Sequence, residues 1–150
     1  MTSLEHVPEE VDDFLALYPT PIAFLAQRLR TLVKRAAPGT IERLRPGWRL
    51  IGYDLPVSPR RSTYFAWVMP ELKHVHLGWQ TGTLMSDPDG VLRGAHLKLK
   101  KVLYLTFATG DRVTPKLVLD FTREAVRLSS MSRGERELLA ATRRHPDIDR

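Results

Sequence analysis

Apolar positions in this chain change period twice, from helical to strand-like and back, and the changes divide it into its elements. Val11, Phe14, Leu15 and Tyr18 recur at helical spacing, and Pro8 is tolerated in a first turn, so a short helix is predicted over Pro8 to Leu17. Pro19 ends it, because proline lacks an N–H and restricts the residue before it. Thr20 then stands as an N-cap with Pro21 at the first helical position. Ile22, Leu25, Leu29, Leu32, Val33 and Ala36 form one stripe, leaving Arg28, Arg30, Lys34 and Arg35 outside. Pro38–Gly39 stops that helix.

The period then shortens towards two. Ile41 to Trp48 reads as a short edge strand broken by Pro46–Gly47, and Arg49 to Tyr53 as a second short strand. Pro56 and Pro59 make Val57 to Arg61 an irregular connector. Thr63 to Met69 and Val75 to Trp79 are rich in aromatic and β-branched residues, and the short link between them predicts antiparallel neighbours. In HVHLGW, His74, His76 and Gly78 face one way and Val75, Leu77 and Trp79 the other. Turns occupy Thr81 to Gly90, with Leu84, Met85, Val91 and Leu92 closing over the core. Val102 to Ala108 carries apolar side chains on both faces, which predicts a central strand. The helical period returns after Thr114–Pro115, with a stripe of Leu117, Val118, Phe121, Ala125 and Leu128. Ser132 and Glu135 have capping-box spacing for a last helix reaching Arg143.

These elements specify one α+β domain over residues 1–150, and 150 residues suffice to bury roughly two-thirds of the extended chain's surface. A hydrophobic fraction of 43% and a charged fraction of 27% fit a folded soluble protein. No apolar run is long enough to span a bilayer and no export signal is visible, so a cytoplasmic protein without a membrane partner is expected. With no cysteine there is no disulfide, thiolate metal site or Cys nucleophile. The net charge of +6 gathers in Arg28, Arg30, Lys34, Arg35, Arg43, Arg45 and Arg49, after an acidic start of Glu5, Glu9, Glu10, Asp12 and Asp13. Such a basic stretch attracts nucleic acid or another polyanion without specifying it.

The ordered segments FLALYPTPIAFLAQRLRTLVKRAAPGTIERL, HVHLGWQTGTLMSDPDGVLRG and KLKKVLYLTF, within residues 11–128, resemble the YdhG-like family of small domains of unknown function. His74, His76, Gly78, Gly82, Leu84, Asp87, Pro88, Gly90, Leu92, Gly94 and Lys98 are the positions that carry the likeness. The resemblance implies a curved antiparallel sheet packed by N- and C-terminal helices. One protein similar to the family is described as a frataxin-like intracellular iron chaperone, which implies iron binding and delivery as a role and iron as the ligand.

The residues add candidate chemistry of their own. His74 and His76 share a strand face, and imidazole coordinates Fe, Zn, Ni or Cu. Asp87 and Asp89 are the carboxylates that a returning chain would add, with His96 as a further donor, although Asp–Pro–Asp–Gly has a sufficient explanation as a turn. Trp79, beside the Thr81–Gly82 turn, is the expected edge of a binding recess, completed by His74, His76, His96 and Lys98. No nucleophile elbow, zinc helix or phosphate loop is present, so the reading is a non-enzymatic binding or accessory protein. Its expected partner is a protein or small molecule. The alternatives are iron delivery and weak polyanion binding, and the two-faced Val102 to Phe107 strand allows a homodimer.

Overall fold

The computed structural model describes residues 10–94 and 102–143. Residues 10–15 are helical (α1), followed by α2 (Thr20–Ala36). Five strands follow: β1 (Ile41–Arg45), β2 (Leu50–Ser58), β3 (Arg61–Pro70), β4 (His74–Trp79) and β5 (Leu103–Ala108). The helices α3 (Pro115–Ser129) and α4 (Arg133–Arg143) complete the described chain. The fold is α+β, with an antiparallel sheet in the order β1-β2-β3-β4-β5 that does not close on itself. Among the described residues no helix is long and apolar enough to cross a membrane.

Both long helices pack on one face of the sheet, against β3 and, for α2, β4, and against each other. The apolar stripes explain why. Ile22, Leu29 and Val33 of α2 and Val118 and Ala125 of α3 are almost solvent-free, as are Ile51, Val68, Val75 and Leu77 of the sheet. Each such Val, Leu or Ile side chain contributes about 1.5–3 kcal/mol by leaving water. Val11 and Leu15 of α1 join the same core. In β3, Tyr53 pairs with Ala66 but Asp54 pairs with Tyr64, so Phe65 is an inserted residue. The bulge turns both Phe65 and Ala66 into the core, where each is fully buried, and adds local twist.

Several expectations are corrected by this arrangement. The Val57 to Arg61 connector is instead the tip of a hairpin, because β2 and β3 stay paired through Pro56↔Ser62 and Ser58↔Arg61. Pro56 is tolerated there because β1 stops pairing at Asp54, and among the described residues no other strand pairs with that side of β2. Among the described residues, the strand expected to be central, β5, is the last strand of the sheet, with the Arg93–Tyr104 bridge on its far side. Its Leu105 and Phe107 enter the core while Thr106 is exposed. Thr20 and Thr114 make no side-chain cap; Pro19 occupies the cap position of α2.

Arg30, expected outside, is buried. Its Nε and Nη2 donate to Glu42 of β1 at 3.0 and 2.6 Å, and Nη1 reaches Asp12 at 2.9 Å. Tyr53 Oη donates to Glu42 at 2.7 Å, and Lys34 Nζ stands 3.2 Å from the same carboxylate. Burial alone would raise the Glu42 pKa. The hydrogen bonds from Arg30 and Tyr53 and the charges of Arg30 and Lys34 outweigh it, holding this carboxyl below its ordinary range. Burial, with Glu42 beside it, keeps the Tyr53 phenol protonated well above its usual value, so it remains a donor. The network ties α1, α2 and the edge strand β1 together.

Candidate functional site

The sheet face turned away from α2 and α3 is built by alternation. With Val75, Leu77 and Trp79 of β4 fully buried on the core side, His74, His76 and Gly78 point outward. Register then carries that face across all five strands. Arg43 pairs with Gly52, Gly52 with Trp67, Trp67 with Gly78, and Gly78 with Tyr104. Tyr104 also bridges to Arg93, with N–H to carbonyl distances of 2.7 and 2.9 Å. One transverse row therefore reads Arg43, Gly52, Trp67, Gly78, Tyr104, Arg93. Aromatic rings alternate with glycines, and an exposed guanidinium stands at each end.

The glycines make room for this row. A Cβ on Gly78 would fall within the indole of Trp67, and one on Gly52 would fall on Arg45, 3.0 Å from the Tyr64 ring. Trp67 and Tyr104 stand 6.0 Å apart between ring centroids, tilted by 46°. His76 meets Tyr104 edge to face at 5.3 Å, and His74 stacks on His76 at 6.4 Å. At the β2 side, the Arg45 guanidinium covers Tyr64 at 4.4 Å and lies 3.1 Å from Asp54. Burial pushes the Tyr64 phenol up to about 12, although the Arg45 charge opposes the shift. Arg45 Nε and Tyr64 Oη are buried and find no hydrogen-bond partner among the described residues.

Of the two imidazoles expected to hold metal, His76 has polar side-chain partners on both ring nitrogens. His76 Nδ1 lies 2.8 Å from Thr106 Oγ1, and Nε2 lies 3.1 Å from a Glu71 oxygen. Asp87 accepts from the N–H groups of Val91 and Leu92 at 2.9 Å, the turn role its sequence suggests. Asp87 and Asp89 line a recess against Leu117 and Phe121 of α3, on the helix side of the sheet. The fold thus separates these aspartates from His74 and His76, which it places on the outer face. Among the described residues no group of three or more His, Asp and Glu side chains is placed to hold a metal ion.

Trp79 is corrected as well. It is fully buried, with its ring 5.4 Å from Phe121, and serves as core rather than as the edge of a recess. The alternation in HVHLGW already put it with Val75 and Leu77. His96 and Lys98 lie outside the described residues. Arg43 is recognisable in the sequence as one of a basic stretch, and Trp67 and Tyr104 as aromatic strand residues, but nothing local aligns them with one another or marks Arg93. Their common signal is register, and the glycines at 52 and 78 are the only trace of it in the sequence. Comparison of the chain with protein-family models, with curated proteins and with solved structures finds no match.

Proposed function

We propose that the chain is a non-enzymatic binding domain that receives a ligand combining flat rings with negative charge along the transverse row of the outer face. A nucleotide and a single-stranded nucleic acid share that chemistry. The observation that carries the reading is the row itself: two neighbouring aromatic rings on a sheet, bracketed by Arg43 and Arg93. Neither arginine has a salt-bridge partner among the described residues. Bases of any sequence stack on aromatic side chains, and guanidinium groups neutralise phosphates. The row crosses five inter-strand steps, about 24 Å at ordinary strand spacing. A strand of several nucleotides spans that distance better than one nucleotide, so the polymer is the favoured ligand.

Fluorescence anisotropy with a labelled oligo-dT strand tests this, with unlabelled AMP as the competing arm. Saturable binding at low salt is expected, with AMP a weak competitor. Trp67→Ala should weaken the strand about 5- to 150-fold, the range for loss of one stacked base, while circular dichroism shows a folded chain. Equal affinities of wild type, Trp67→Ala and the Arg43→Gln/Arg93→Gln variant would overturn the reading. So would no saturable binding at low salt.

A further inference from the structure

On the helix side of the molecule, away from the row, the first half of α2 meets the turn after β5. There Phe24 is 74% exposed, although it sits beside the buried Leu25 and Val113. It borders a recess of about 550 Å³ whose walls also include Arg28, Asp111 and Arg112. A second recess of about 340 Å³ shares Phe24 and Arg28 and adds Arg35. The larger volume lies within the range of small-molecule sites, which join an apolar wall to a few polar groups that fix orientation.

Charge decides which small molecule. Arg28 and Arg112 have no salt-bridge partner among the described residues. Asp111, the carboxylate on the wall, accepts the Ala108 N–H at 2.7 Å through Oδ2 and so closes its own turn. Two guanidiniums against one carboxylate leave the recess net positive. The early turns of α2 line it too, through Thr20 and Pro21, where the helix dipole also favours negative charge.

We propose that this recess binds an amphiphilic organic anion. The apolar body lies against Phe24, Leu25 and Val113, and a carboxylate or phosphate meets Arg28 and Arg112. This proposal is independent of the outer-face reading, since the two sites lie on opposite sides of the sheet.

Octanoate and octanol share an apolar chain and differ in charge, so they serve as probes in a ¹H–¹⁵N NMR titration of the whole chain. Octanoate is expected to saturate, moving the amides of Phe24, Arg28, Arg112 and Val113. Octanol should bind at least about tenfold more weakly, the low end for loss of a charge-assisted hydrogen bond. Arg28→Gln/Arg112→Gln should remove that difference without altering octanol binding. Phe24→Ser, at an exposed position the core does not need, should weaken both probes. Equal binding of the two probes, shifts confined to the outer face, or no saturable shift would overturn the proposal.

Discussion

A methyl group on Gly78 has no free space, because the indole of Trp67 already occupies it; on Gly82 it would meet the main chain and Cβ of Leu103. The two obstacles differ in what can yield. Trp67 is only half-buried and its ring can swing outward, whereas the backbone of Leu103 is paired to Trp79 in the sheet. Overpacking costs about 1–3 kcal/mol, so Gly78→Ala should fall at the low end and Gly82→Ala at or above the high end. Gly134 gives the opposite sign. It lies exposed in the first turn of α4 with nothing within 4 Å of an added Cβ, so Gly134→Ala should stabilise by about 0.4–1 kcal/mol. Urea melts of the three variants check the order. Adding Trp67→Leu to Gly78→Ala should recover part of its loss, because the second change removes the obstacle to the first.

Between elements, the decisive contact is charged. Arg30 and Glu42 are both buried, and removing one leaves the other without its main partner in a desolvated place. Arg30→Met should therefore cost about 3–5 kcal/mol, and the paired Arg30→Leu/Glu42→Leu much less. The pH dependence follows from the lowered carboxyl values. For Asp12 the Gln27 hydrogen bond leads, with help from Arg30. Glu42 and Asp12 both hold their protons more weakly when folded, so the unfolded chain binds more protons in acid. Their contribution is complete above the ordinary carboxyl values of 4.5 and 3.8 and is lost as pH falls through the lower folded values. The stability gap between wild type and Glu42→Gln should thus be constant near neutral pH and close progressively below about 4.5.

The same contact shows what local pattern can and cannot reveal. Helices were legible because their signals are local: the Ser132–Glu135 box forms as its spacing predicts, with reciprocal bonds of 3.0 and 3.1 Å. Arg30 was not, since its partner comes from a strand twelve residues on. The alternation in β4 correctly divided imidazoles from core, yet strand order lies beyond any single strand's pattern. That is why β5 read as central and the outer-face row went unseen.

At the scale of the whole molecule, the basic stretch that looks continuous in sequence is divided by the fold. Arg28 and Arg35 line recesses on the helix side, Arg30 is buried, Arg45 faces Asp54, and Arg43 alone of these stands at the end of the aromatic row. A net charge of +6 predicts long-range attraction of any polyanion, but which arginines release counterions depends on the face that is covered. For single strands, each neutralised phosphate contributes about −0.7 to the slope of log affinity against log salt concentration. Arg43→Gln and Arg93→Gln should each flatten the oligo-dT slope by about 0.7, and Arg28→Gln should leave it unchanged. Slopes measured by anisotropy over a salt series distinguish the faces. If Arg28→Gln flattens the line and the two row variants do not, the strand binds along α2, and the aromatic row has some other ligand.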